Sequence, residues 1–137
     1  MTISICQASK ADKNAIKRFY RQQNYSASFM GLDTTYLAKD DEEIIGAVIV
    51  SRLKKENQQV LLHALVVRQS YQRKGIAKLL LAQCTKQISN IRCFANPNLA
   101  EFYRKVNFLP VCADELSEEL LVRYINYSKH QTLMIFG

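Results

Sequence analysis

Apolar and polar positions change their period several times along this 137-residue chain, and each change marks a predicted element. Ile3 and Ile5 alternate with polar neighbours as in a short strand. Ser9 stands where it can cap a helix over 11–23, whose buried side carries Ala15, Ile16 and Phe19. Residues 24–34 are irregular and contain Gly31. Strands follow at 36–40 and 43–53, joined by the polar tetrad Asp40-Asp41-Glu42-Glu43 as a hairpin. A β-branched run over 58–67 gives another strand, and after a break at Ser70 a helix is predicted over 74–88 with Ile76, Leu79, Leu80 and Cys84 on its buried face. The remainder reads as a strand at 91–95, a helix at 98–106, a strand at 108–112, a helix at 114–127 and a closing strand at 132–136. This order predicts an α+β fold. Its twisted central sheet is mainly antiparallel, of about six to seven strands flanked by helices, with one strand-helix-strand unit in the centre.

Composition narrows the class. With 48% apolar and 23% charged residues, 137 residues fit one compact domain over 1–137, without repeats or a linker. The longest apolar stretch, 44–50 with Gly46 inside it, is far short of the roughly 20 residues that span a bilayer. The start, Met1 to Gln7, lacks the basic flank and apolar core of a secretory signal, so a cytoplasmic protein without membrane partners is expected. Cys6, Cys84, Cys93 and Cys112 are too far apart for a C-x-x-C pair and sit among apolar neighbours. They read as reduced core residues, with no metal site. Nineteen Lys and Arg against twelve Asp and Glu give a formal charge of +7, and the middle of the chain is strongly basic. Nucleic acid, an acidic protein surface and a phosphorylated ligand all satisfy that field.

One segment carries chemistry. In Leu61 to Ala77 an apolar strand runs through a turn into a helix whose first turn holds Gly75, Ala77 and the cations Arg73, Lys74 and Lys78. Amides at a helix start have no intrahelical acceptor and sit at the positive end of the helix dipole. They can clasp a phosphate where no side chain blocks the way. Gly75 and Ala77 keep that approach open, and the three cations add charge-assisted contacts.

Gln72-Arg73-Lys74-Gly75-Ile76-Ala77 matches the Gln/Arg-x-x-Gly-x-Gly/Ala motif of the GCN5-related N-acetyltransferase (GNAT) family. Downstream, Asn96-x-x-x-Ala100-x-Phe102-Tyr103-x-x-x-Asn107-Phe108 resembles that family's helix with its Phe-Tyr-x-x-x-Gly-Phe ending. The motifs stand in the family's order, and the resemblance covers nearly the whole chain. It implies a GNAT-like acyl-CoA N-acyltransferase fold in which acetyl-CoA, as co-substrate, enters between two splayed central strands, here 61–67 and 91–95. The backbone of Leu65, Val66 and Val67 would bond the pantetheine arm, amides from Arg73 to Lys78 would hold the pyrophosphate, and Asn96 would sit beside the pantetheine. Within that implied site Gln72, Arg73, Lys74, Gly75, Ile76, Ala77, Lys78, Asn96 and Tyr103 are the remaining cofactor-binding residues. Asn107 replaces the usual Gly; Asn is the next residue best able to adopt the left-handed conformation there.

Acetyl transfer needs two proton events. An amine with a pKa near 10.4 must lose a proton before it attacks, and a thiolate with a pKa of roughly 8.5 leaves more easily when protonated. Tyr103 matches the family's acid. The glutamate that some members carry on the central strand corresponds to Leu61, which takes no proton. His63 lies on the same face, and Leu62-His63-x-Leu65-x-Val67 is similar to the strand of arylalkylamine N-acetyltransferases in which a histidine relays protons. His63 is the candidate base; a structural strand histidine is the other reading.

The acceptor is expected between 20–36 and 113–130, where Tyr20, Tyr25, Phe29, Met30 and Tyr36 form either an aromatic pocket or plain core. In the second segment Leu116, Leu120, Tyr124 and Tyr127 fall near helical spacing. The expected activity is therefore transfer of acetyl from acetyl-CoA to a primary amine, on a small molecule or a protein, by direct attack in a ternary complex. A catalytically silent acetyl-CoA-binding regulator of a partner protein is the alternative. Nucleic acid is not the expected partner, since neither a recognition helix nor an aromatic-basic stacking surface is present. A homodimer is compatible with the sequence.

Overall fold

A computed structural model describes residues 2–53 and 58–137; Met1 and residues 54–57 lie outside the described residues. The elements are β1 (Ile3–Gln7), α1 (Lys13–Gln22), β2 (Asp33–Asp40), β3 (Glu43–Ser51), β4 (Val60–Val67), α2 (Ile76–Gln87), β5 (Ile91–Ala95), α3 (Ala100–Lys105), α4 (Glu118–Ser128) and β6 (Met134–Phe136). The six strands lie side by side in chain order. Every neighbouring pair is antiparallel except β4 and β5, which are parallel and joined by the crossover helix α2.

The two sheet faces are built from alternate residues of the same strands. Leu37, Ala47 and Ile49 pack under α1 with Ile16, Phe19 and Tyr20. Leu61 and Ile135, also on that side, are covered by Leu116 and Leu120. On the opposite side Tyr36, Ala38, Val48, Val50 and Leu62 meet Ile76, Leu80, Leu81 and Cys84 of α2 and Tyr103 of α3. A Cβ at Gly46 would lie 3.3 Å from Leu80 Cδ1 and 3.4 Å from Ile76 Cγ2, so this glycine lets α2 seat closely on β3.

Several expectations shift at the edges. A 3-10 turn over Lys10–Asp12 precedes α1. There Ser9 N–H donates to Asp12 Oδ2 at 2.8 Å and Asp12 N–H to Ser9 C=O at 3.0 Å. Leu79 is 48% exposed instead of buried; the core face of α2 runs through Ile76, Leu80 and Cys84 at four-residue steps, joined by Leu81. The segment 108–112 is not a strand. Pro110 forms one bridge to Phe136, while Leu109 and Val111 bond to Gly137 and Ile135. Pro110 has no N–H with which to extend a ladder. The fourth helix begins only at Glu118, because Ser117 caps it by accepting from Leu120 N–H at 3.4 Å. Of the cysteines, Cys84 and Cys93 are buried, Cys6 is half-buried and Cys112 is exposed, so Cys112 is no core residue.

Candidate active site

β4 carries one more residue than its partner. Ala47 pairs with Val66 but Ile49 pairs with His63, so two residues of β4, Ala64 and Leu65, stand opposite Val48. Ala64 takes up the slack in the left-handed region at φ 56°. This bulge, worth roughly 1–2 kcal/mol of strain for a residue with a Cβ, turns the two halves of β4 out of phase. His63 and Ala64 consequently face the same side, towards α1 and α4. The buried hydroxyl of Tyr20 in α1 donates to the Ala64 carbonyl at 2.7 Å and holds the bulge.

On the other edge the sheet opens. β4 and β5 pair only from Val60↔Ile91 to Leu62↔Cys93, although β4 runs on to Val67 and β5 to Ala95. Past the bulge β4 pairs with a neighbouring strand on one side alone. Arg68 N–H donates to Ile45 C=O at 2.8 Å. By the two-residue alternation of a ladder, Val66 also faces β3, while Leu65 and Val67 turn their N–H and C=O groups into the gap. The Val67 carbonyl accepts there from Gln72 Nε2 at 2.9 Å.

The gap is the floor of a cleft of about 390 Å³ whose walls include His63, Leu65, Phe94, Asn96, Tyr103 and Tyr127. At Leu99 it meets a second cleft of about 630 Å³, lined by Val67, Gln72, Arg73, Gly75, Lys78 and Lys105 among others. Gly75 caps α2 at φ 80°, and a Cβ there would meet nothing within 4 Å. The first intrahelical amide bond of α2 is Leu79 N–H to Gly75 C=O at 3.1 Å, which leaves the amides of Ile76, Ala77 and Lys78 without helical acceptors. Arg73 is left-handed at φ 63°, and Lys74 Nζ lies 5.7 Å over the ring of Tyr71.

Tyr103 is 6% exposed, stacked on Phe136 at 4.9 Å and edge-on to Phe102 at 5.1 Å. A complete helix-ending motif fixes its backbone: Phe108 N–H donates to Tyr103 C=O at 2.8 Å and Asn107 N–H to Arg104 C=O at 3.0 Å. Asn107 between them adopts φ 65°. Burial, together with the neighbouring Cys93 thiol, holds the Tyr103 phenol well above its ordinary pKa. Burial likewise pushes Cys93 up to about 12.

His63 is half-buried, and burial lowers its pKa below the ordinary 6.5; Asp33 opposes that shift and Arg123 adds to it. Its Nε2 lies 2.7 Å from Ser51 Oγ, and Ser51 in turn donates to Asp33 Oδ1. Neither Ser51 nor Asp33 stands out in the sequence. Of the aromatic residues expected near the acceptor, Tyr20 and Tyr36 are core, Phe29 is exposed and Tyr25 lines the cleft. The side chain of Asn96 accepts from Asn98 N–H at 2.8 Å, capping the turn that leads into α3. Leu61 is buried under α4.

The acetyltransferase (GNAT) domain family matches residues 31–110, more than half of the sequence. The chain belongs to the GNAT family. Solved GNAT-fold structures agree with the architecture. The N-acetylglutamate synthase of Neisseria gonorrhoeae, solved with coenzyme A and N-acetyl-glutamate, superposes with a TM-score of 0.71 at 22% identity, over 99% of this chain and 34% of that one. This chain thus spans about a third of that synthase's length. A GNAT acetyltransferase of Streptococcus pneumoniae gives 0.67 at 19% identity over 85% of this chain and 94% of its own. Arabidopsis thaliana NAA60 in complex with acetyl-CoA gives 0.64 at 18% over 98% and 97%. No curated protein matches the sequence significantly. As in other GNAT domains the sheet is open, and no helix among the described residues is long and apolar enough to cross a membrane.

Proposed function

We propose that the protein transfers the acetyl group of acetyl-CoA to a primary amine by direct attack in a ternary complex. The observation that carries this reading is the parting of β4 and β5 after Leu62↔Cys93, which opens a cleft lined by both His63 and Tyr103. The residues present fit the co-substrate. Leu65 and the N–H of Val67 face the gap and offer backbone groups to an extended, amide-bearing arm, and the open side of Gly75 bares the amides of Ile76, Ala77 and Lys78 to a pyrophosphate. Arg73, Lys78 and Lys105 line the same cleft, where further phosphate charge would be met. The NAA60 and synthase structures were solved with acetyl-CoA and coenzyme A, which supports the same assignment here.

When bound, acetyl-CoA supplies an acyl group on a good leaving sulfur. The chain's own residues move the protons. An acceptor ammonium holds one proton more than a nucleophile can carry, and His63 receives it. As the carbon–nitrogen bond forms and the carbon–sulfur bond breaks, Tyr103 gives its phenolic proton to the sulfur. The second proton, shed by nitrogen, restores the phenol. A phenol held above its ordinary pKa stays protonated across neutral pH, the state a proton donor requires.

The test is acetyl-CoA-dependent release of free thiol across aryl amines, polyamines, aminoglycosides, lysine peptides and free N-termini, with acetyl-CoA binding followed in parallel. Turnover with one class, reduced about 10²-fold or more by Tyr103→Phe at unchanged acetyl-CoA affinity, is the expected result. Tight binding without turnover on any acceptor would favour the silent regulator, and absence of binding would overturn both readings.

A further inference from the structure

Ser51 is the one polar residue among the fully buried side chains described, at 0% exposure on the central strand β3. A buried hydroxyl needs partners, and this one has two. It lies 2.7 Å from His63 Nε2 on β4 and bonds to Asp33 Oδ1 on β2, so three adjacent strands each give one member to a line of hydrogen bonds. The far end of the line is also anchored. Asp33 Oδ2 accepts from Met30 N–H at 2.8 Å and from Gly31 N–H at 3.3 Å.

The directions of these bonds follow from what each group can do. Backbone N–H groups only donate, so Asp33 Oδ2 is an acceptor, and Ser51 spends its single proton on Oδ1. The Ser51 oxygen then has only lone pairs to offer His63, and Nε2 must carry the imidazole proton. The free lone pair is left on Nδ1, the other ring nitrogen of a residue that lines the cleft. Sealed from the cleft, Ser51 has no access to an acyl group and is no nucleophile.

We infer that Asp33 and Ser51 are positioning residues that fix His63 as the Nε2–H tautomer, so that Nδ1 is the atom that takes the acceptor's proton. This rests on the acetyltransferase reading and adds to it the atom that works as base and the two residues behind it. When Nδ1 takes a proton the ring becomes cationic, and the Asp33 carboxylate stabilises that charge through the Ser51 hydroxyl, as carboxylates do behind catalytic histidines. The other groups facing His63 are Arg123 from α4, which opposes the cation, and Tyr25 and Tyr127 in the cleft wall.

Replacing the carboxylate by an amide should invert the line. In Asp33→Asn the amides of Met30 and Gly31 still require an oxygen, so the new NH2 group turns to Ser51. Ser51 then accepts from Asn and must donate to Nε2, which drives the imidazole proton to Nδ1 and removes the base without removing the histidine. Nitrogen-15 NMR of the labelled imidazole reads the tautomer with no acceptor or acetyl-CoA present. The expected result is Nε2–H in the wild type and Nδ1–H in Asp33→Asn. With the acceptor class that turns over, kcat falls about 10²-fold or more at unchanged acetyl-CoA affinity. Ser51→Ala, which breaks the line without inverting it, gives a smaller loss, and Ser51→Thr restores it. Nδ1–H in the wild type, an unchanged tautomer in Asp33→Asn, or full turnover in Ser51→Ala would each overturn the inference. Failure of the acetyltransferase reading looks different: the tautomers come out as expected while no amine is acetylated.

Discussion

The hydroxyl of Tyr20, on α1, bonds at 2.7 Å to the carbonyl of Ala64, the left-handed residue that puts β4 out of phase. A helix side chain therefore holds open a kink in the middle of a sheet.

Removing that donor strands a buried carbonyl. Tyr20→Phe should lower stability by about 1–3 kcal/mol, seen as a reduced urea midpoint at unchanged slope. Since the bulge also shapes the gap, acetyl-CoA affinity should fall in the same variant, whereas an ordinary core change of equal cost should leave affinity alone.

Gly75 separates strain from access. At φ 80° any Cβ is strained by roughly 1–2 kcal/mol, yet the space beside it is empty. Gly75→Ala should cost that much in stability. Its acetyl-CoA affinity should fall by at least about tenfold, equivalent to 1.4 kcal/mol, because the methyl group stands where the phosphates approach the amides of α2. Calorimetric binding and thermal unfolding of one preparation read both effects.

Stability should form a dome with pH. Burial raises Tyr20 and Tyr103, so the folded chain holds their protons more tightly than the unfolded chain does. Their contribution is full below about pH 10 and is lost as pH climbs through the raised values. Burial lowers His63, whose contribution is present above about pH 6.5 and is lost as pH falls through the lowered value. Urea midpoints between pH 5 and pH 11 should decline at both ends, and Tyr20→Phe should flatten the alkaline side.

Legibility in the sequence followed from how local each feature is. Gly75, Tyr103 and Asn107 sit in contiguous segments whose conformational demands can be read residue by residue, and Asn107 indeed adopts the left-handed turn for which it was expected. The relay behind His63 could not be read this way. Asp33 and Ser51 are 18 positions apart and Ser51 and His63 are 12 apart, and only the pairing of three strands brings them together. The bulge was hidden for a different reason. Leu61 to Val67 is almost wholly apolar, so the slip of phase at Ala64 leaves no polar residue out of step. Leu79 misled because it and Leu80 are adjacent leucines at the edge of one helical face, and the placement of α2 over Gly46 decides which of them turns inward.

The one-sided half of β4 also makes a built-in reporter. Leu65 and Val67 lie in the centre of the sheet by sequence order, where amide protons ordinarily exchange with solvent only on global unfolding. Their N–H groups instead point into the gap, and they should exchange far faster than those of Leu61 or Leu62 on the same strand. Among the amides of β4, acetyl-CoA should slow these two, so that hydrogen exchange along a single eight-residue strand records whether the cleft is filled.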